Sequence, residues 1–169
     1  MALDATDYHI LELLQEDARR SYRDLGERVG LGAASVHARV QRLERDGVIR
    51  AYRADVDAEK VGRPLTAFVS IGLGGASKPR DRPRLESVAE ALENHPDVVE
   101  VYAVTGEDDL LVKVREDDIK GLERLLIRVL DPLDGVRKTT TTIVVRTLLE
   151  RPVPARPPAA SDDDAHEKT

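Results

Sequence analysis

The sequence predicts an α+β chain: a helical first part of the helix-turn-helix kind, then a β-α-β-β-α-β part of the ferredoxin-like kind. Three observations predict it. Up to Gly47 apolar residues recur at helical spacing between cap residues and glycines, and from Pro64 the period shifts to short β-branched runs alternating with helical stretches. After Leu149, prolines, alanines and aspartates take over. The expected boundaries are 1–50 for the helical domain, 51–64 for a linker strand and hinge, 65–149 for the mixed domain and 150–169 for a disordered Pro/Asp-rich tail.

The first helix opens at Asp4, a suitable N-cap, with Asp7 near the positive end of the helix dipole, and Ile10, Leu11 and Leu14 make one apolar face. Ser21, with Asp24 three residues on, starts a short second helix whose Leu25 and Val29 point inward before Gly30 stops it. A third helix runs from about Ala33 to Asp46, with Val36, Val40 and Leu43 on one stripe and Gly47 beyond its end. Short helices around a tight Gly-containing turn make a helix-turn-helix. Val48 to Val56 alternates enough for one or two short strands, as in a wing or a link.

Beyond Pro64, strands are expected over Leu65–Leu73, Val98–Thr105, Leu110–Arg115 and Thr139–Leu148, and helices over Leu85–Leu92 and Ile119–Leu130. The order is that of the split βαβ plan. Tyr102 and Phe68 are expected to pack, and His95-Pro96 to end a helix. The Gly74 to Pro83 connection reads as a mobile loop whose Lys78, Arg80 and Arg82 are solvated charges rather than a second nucleic-acid site.

Composition narrows the function. The 169 residues are 41% hydrophobic and 34% charged, as in a soluble globular protein. No apolar run approaches the roughly 18 residues of a membrane span. The start of the chain lacks the basic and apolar regions of a signal peptide, so a cytoplasmic protein with no membrane partner is expected. The absence of cysteine excludes disulfides, thiolate metal sites and thiol nucleophiles, and the four histidines are scattered. Neither Glu116-Asp117-Asp118 nor the acids of Gly106 to Asp109 are accompanied by a nucleophile–base pair or a phosphate-loop spacing, so no enzyme, metal or cofactor is expected.

The net charge of −6 argues at first against a polyanionic partner. From Arg19 to Arg53, however, nine arginines stand against four acids, a local balance of +5. The face of the third helix opposite its apolar stripe carries Ala34, Ser35, His37, Ala38, Gln41, Arg42 and Arg45. The N-terminal half of the second helix of a helix-turn-helix enters the major groove of double-stranded DNA, where small residues permit close approach and Ser, His and Gln reach base edges. Arg39, Arg42 and Arg45, further along or at the flank, suit phosphate contacts. Asp4, Asp7, Glu12 and Glu16 are expected to face away from phosphate or to cap the first helix.

These residues resemble the Lrp/AsnC family of regulators, the feast/famine regulatory proteins. The likeness is carried by Leu3-Asp4-x-x-Asp7-x-x-Ile10-Leu11-x-x-Leu14-Gln15-x-Asp17-Ala18-Arg19, Leu25-x-x-x-Val29-Gly30-Leu31, Val36-x-x-Arg39-Val40-x-x-Leu43-Glu44 and Gly47-Val48-Ile49. Val104-Thr105-Gly106-x-x-Asp109 and Gly135-Val136-x-x-Thr139-x-Thr141 continue it, so that it spans about Leu3 to Leu149. Gly32-Ala33 departs from the Ser-Pro often found at the start of that family's recognition helix, and Leu110 replaces a common aromatic residue. The resemblance implies a winged-helix-like domain joined to an ACT-related one, a transcriptional regulator assembled as homodimers and as octamers of four dimers, and a small-molecule effector, an amino acid or similar metabolite, held between subunits. Carried over residue by residue, the effector-binding candidates are Gly106, Glu107, Asp108, Asp109, Thr139 and Thr141. Gly106 allows close backbone approach, Asp108 or Asp109 suits an ammonium group, and threonine hydroxyls bond either end of an amino acid. The same segments read equally as a hairpin turn and as ordinary β-branched strand. A ligand-sensing protein without DNA binding is the other reading.

Overall fold

The computed structural model describes residues 2–74 and 82–155, with the side chains of 82–84 excepted. Residues 75–81 of the expected mobile loop, with Lys78 and Arg80, therefore lie outside the described residues, as do the Arg82 side chain and the tail beyond Ala155, whereas the last two loop positions, Arg82 and Pro83, already belong to a helix. The elements are α1 (Ala5–Glu16), α2 (Tyr22–Val29), α3 (Ala33–Arg45), β1 (Leu65–Leu73), α4 (Arg82–Glu93), β2 (Val98–Ala103), β3 (Leu110–Glu116), α5 (Ile119–Leu125) and β4 (Val136–Ile143), with a π-helical turn, Leu126–Leu130, continuing α5. The described residues fall into two compact units: those up to Asp55 together with 149–155, and those between Val56 and Leu148. The division falls inside the expected 51–64 linker.

In the helical unit, α1 starts with a reciprocal capping box. The Asp7 amide donates to the Asp4 carboxylate at 2.8 Å and the Asp4 amide to that of Asp7 at 3.1 Å. Ser21 Oγ caps α2 through the Asp24 amide at 3.1 Å. The core is Ile10, Leu13, Leu25, Val36, Val40 and Leu43, none more than 5% exposed. Each contributes roughly 1.5–3 kcal/mol before the entropy of ordering is subtracted. The buried stripe of α1 is thus Ile10 and Leu13, whereas Leu11 and Leu14 are only partly buried. Gly26, which the periodicity does not single out, is where the turn after α2 closes on that helix: a Cβ there would stand 2.4 Å from the Leu31 carbonyl oxygen. At the end of α3 the Gly47 amide reaches the Glu44 carbonyl and the Val48 amide the Leu43 carbonyl, a Schellman stop completed by the left-handed Gly47 (φ 71°).

Val48 to Val56 forms no strand, contrary to expectation. A strand needs a neighbour for its N–H and C=O groups, and the one sheet, ordered β2-β3-β1-β4, takes none from this segment.

In the second unit the sheet is antiparallel throughout. Ala67, Val69 and Ile71 of β1 stand opposite Val114, Val112 and Leu110 of β3, and together they meet Val88 and Leu92 of α4, Leu122 and Leu125 of α5, and Leu130. The helices therefore cover one face. The other, with Phe68, Ser70, Leu111, Thr140 and Thr142, has no layer over it from the described residues of the chain. Tyr102, on that face, is 47% exposed and bonds Glu100 through its hydroxyl at 2.7 Å, so the expected packing is not made by the described residues. Phe68 is half-buried there. β4 spans 136–143 rather than 139–148, because its neighbour among the described residues begins at Leu65 and the last rung is Val144 N–H to the Thr66 carbonyl. β2 ends at Ala103, not Thr105. The π turn, closed by Asp131 N–H on the Leu126 carbonyl, sets the buried Leu130 five residues after the buried Leu125, with Leu126 and Val129 partly buried.

Candidate functional site

The Val36, Val40 and Leu43 stripe anchors α3 and turns the opposite face outward. Ala34, Ser35, His37, Ala38, Gln41 and Arg45 are all exposed. The start of α3 has Gly32 as N-cap and no side-chain hydrogen bond to it, as the missing Ser-Pro predicts. The His37 ring tilts against that of Tyr22 on α2 with centroids 4.9 Å apart, which steadies an otherwise free imidazole. Arg45 keeps 72% of its side chain exposed beside Asp46. Glu44, an acid on the same helix, accepts the Tyr52 hydroxyl at 2.8 Å. Partial burial, then the Glu44 carboxylate, push the Tyr52 phenol up.

Arg39 and Arg42 are placed differently from the expectation of free phosphate contacts. Arg39 Nη1 donates to Asp4 at 2.7 Å and to Asp7 at 2.8 Å, and Arg42 Nη2 donates to Asp7 at 2.6 Å. Asp7 is 1% exposed, so α1 and α3 are locked by a buried carboxylate shared between two guanidinium groups. The Arg39 bond holds the Asp4 carboxyl below its ordinary range, and Asp4 in turn raises Arg39. Arg20 with Glu16 and Asp24, Arg28 with Asp24, and Arg23 with Glu27 are also paired within the unit. Arg19, Arg50 and Arg53 are exposed and have no ion-pair partner among the described residues.

In the second unit Gly106 takes φ 130°, in the turn between β2 and β3, where Val104 N–H reaches the Asp109 carbonyl at 3.0 Å. The Asp109 amide donates to the Ile71 carbonyl at 2.9 Å, and its carboxylate accepts the Leu73 amide at 2.8 Å. The side chain of Asp109 thus adds a rung to the β1–β3 ladder beyond its last paired residues. The Asp108 carboxylate lies over Gly72, where a Cβ would meet it at 3.4 Å. Thr139 stands opposite Ile71 on the far side of β1, which brings it to the same end of the sheet as Gly106, Glu107, Asp108 and Asp109. Thr141, opposite Val69, lies two residues further along, roughly 7 Å away. Glu107 is exposed, and Asp108, Asp109, Thr139 and Thr141 are half-buried. Gly72 and the Leu73 amide are members of this cluster that residue types alone did not disclose; a Gly-Leu-Gly run ending a strand was their only signal.

The acid run at 116–118 has structural partners. Asp118 caps α5 through the Gly121 amide at 2.7 Å. Glu116, 4% exposed, faces Arg63, which also bonds Asp97, beside a cavity of about 360 Å³ bordered by Arg124 and Arg128. Burial, then the Asp97 charge, push the Glu116 carboxyl up.

Two family models match the chain: an AsnC-type helix-turn-helix domain over residues 3–44 and an Lrp/AsnC ligand binding domain over 66–154. An uncharacterized HTH-type transcriptional regulator of Pyrococcus abyssi is 37% identical over 142 residues, 84% of this chain and 85% of that protein. The leucine-responsive regulatory protein of Rhizobium meliloti is 35% identical over 144 residues, 85% of this chain and 90% of its own. Among solved structures, AsnC of E. coli superposes with a TM-score of 0.81 at 29% identity, covering 90% of this chain and 99% of that one. A transcriptional regulator of Neisseria meningitidis in complex with L-methionine gives 0.80 at 29%, covering 89% and 94%.

Proposed function

The chain belongs to the Lrp/AsnC family of helix-turn-helix transcriptional regulators and carries that family's ligand-binding domain, and from this premise we propose how it works. The α3 face enters the major groove, with Ser35, His37 and Gln41 reading base edges, Ala34 and Ala38 permitting approach, and Arg45 at a phosphate. The observation that carries this reading is the exposure of all six of these residues opposite a fully buried stripe. Arg39 and Arg42 hold α3 against α1 and act on DNA chiefly through its position.

The effector in this proposal is an amino acid at the turn that carries Gly106, Glu107, Asp108 and Asp109, with Thr139 and Thr141 on the neighbouring edge strand. The L-methionine complex of the Neisseria meningitidis relative supports the ligand class, and the Asp108 carboxylate, which has no ion-pair partner among the described residues, supports the ammonium end. The uncovered sheet face supports self-association as dimers and, through them, octamers. Two α3 helices paired by a dyad call for half-sites about one helical turn apart.

A mobility-shift titration on the gene's own upstream region, at low and high salt and with or without amino acids, tests the proposal. Specific binding that weakens with salt and changes with one amino acid is the expected result. A protein that senses the amino acid but binds neither that region nor a genomic pool would establish the other reading, a sensor without DNA binding.

A further inference from the structure

Of the described residues, Leu149 to Ala155 belong to the helix-turn-helix unit. Gln15 Nε2, at the end of α1, donates to the Val153 carbonyl at 2.7 Å. Pro152 joins Leu11, Leu14, Arg19, Arg50 and Arg53 around a groove of about 700 Å³. The groove combines partly buried leucines with exposed guanidinium groups; of the three acids that also line it, Glu16 is paired with Arg20, Asp17 accepts the Arg19 amide, and Asp55 is exposed. Its three arginines are those of the basic block that have no ion-pair partner among the described residues, whereas Arg20, Arg23, Arg28, Arg39 and Arg42 are engaged by carboxylates of their own unit. Directly after Ala155 the chain has fourteen more residues, 156–169, with Asp162, Asp163, Asp164 and Glu167 against Arg156 and Lys168.

We propose that this groove is the docking site of the chain's own acidic C-terminal segment, 156–169, with Asp162, Asp163 and Asp164 against Arg19, Arg50 and Arg53, and that the segment competes there with DNA phosphate. The Val153 contact starts the segment beside α1. Asp162 is the seventh residue after Ala155, an extended span of at most about 25 Å, which keeps the three acids within reach of the groove. Tethering gives them an effective concentration on the order of millimolar, so individually weak ion pairs suffice. Carboxylate and phosphate present the same oxygens to a guanidinium fork, and therefore exclude each other from it. The competition with DNA rests on the regulator reading; the docking does not.

Because the chain has no cysteine, Ser161→Cys gives a unique attachment point for a benzophenone maleimide on the full-length protein. Irradiation at about 50 mM salt is expected to cross-link residue 161 to peptides spanning Leu11–Arg19 and Val48–Asp55 of the same chain, with a severalfold lower yield at about 500 mM. Cross-links elsewhere, between two chains, or at a salt-independent yield overturn the docking. In parallel, full-length D162N/D163N/D164N is expected to bind the upstream DNA roughly three- to tenfold more tightly at about 50 mM salt, with the gap closing at about 300 mM. Equal affinities of the two proteins alongside groove cross-links overturn the competition. DNA binding by neither protein overturns the regulator reading and leaves the cross-links to decide the docking.

Discussion

The buried carboxylate of Asp7 accepts a 2.6 Å bond from Arg42 Nη2, joining the first turn of α1 to the last turn of α3. Arg39 completes the arrangement on the other carboxylate oxygen at 2.8 Å. Asp7→Ala leaves two partly buried guanidinium groups without their shared anion and opens the capping box. A loss of about 2–4 kcal/mol is expected in the helical unit, followed by urea denaturation monitored at an α3 probe. A loss under about 0.5 kcal/mol would show that the two arginines find water at no cost.

Gly26→Ala is expected to destabilise the same unit by about 1–3 kcal/mol, the reverse of the gain that alanine gives at an ordinary helix position. The added methyl meets the Leu31 carbonyl, so the turn before α3 must open. Circular-dichroism melts of the two proteins decide it; an unchanged or raised midpoint removes the close approach.

On DNA, Gln41→Ala and Arg45→Ala are expected to part company. The first alters preference at one base pair by about 1–3 kcal/mol, and the second weakens all sequences alike and lowers the salt slope by about one. Parallel loss in both variants would mean that Gln41 reads no base. Arg42→Ala is expected to lower affinity together with the thermal midpoint, and a loss of affinity at unchanged midpoint would return Arg42 to the phosphate backbone.

In the effector turn, Asp108 and Asp109 separate by their partners. Asp109→Ala removes the acceptor of the Leu73 amide and is expected to lower the midpoint of the free protein by several degrees. Asp108→Asn is expected to leave that midpoint in place and abolish the shift given by the amino acid. Thermal-shift measurements with and without amino acids check both, and an undiminished shift in Asp108→Asn would take Asp108 out of the site.

Glu116 supplies a pH test. Its folded-state pKa lies above the ordinary 4.5, because burial disfavours the charge. The folded chain therefore holds this proton more tightly than the unfolded one. The associated stability is full below about 4.5 and is lost as pH rises through the higher folded value. Glu116→Gln is expected to be the more stable protein at pH 7, with its advantage shrinking as the pH falls towards 4.5. A constant difference across that range would contradict the burial argument.

Spacing disclosed much of this molecule. Asp4 with Asp7, Ser21 with Asp24, and Gly30 and Gly47 placed the helix ends, and Val36, Val40 and Leu43 settled which side of α3 faces out. The pairings across elements were not legible. Arg39 and Asp7 lie 32 residues apart, and an arginine on a polar face reads the same whether it meets a carboxylate or water. The segment 48–56 misled because alternation records a preference for extended backbone without naming a partner strand. Tyr102 escapes such reading because aromatic character indicates burial but not what does the burying, and no described residues of the chain cover its face of the sheet.

The bond from the Leu73 amide to the Asp109 carboxylate makes the loop acid a substitute for a missing stretch of main chain. With that carboxylate already spent on the strand end, an ammonium group in the turn meets Asp108 at no cost to the ladder, whereas a ligand that took Asp109 from the Leu73 amide would loosen the end of β1 from the start of β3. Hydrogen exchange at the Leu73 amide tells the two apart: protection kept on adding the amino acid is expected for an ammonium at Asp108, and protection lost would move it to Asp109.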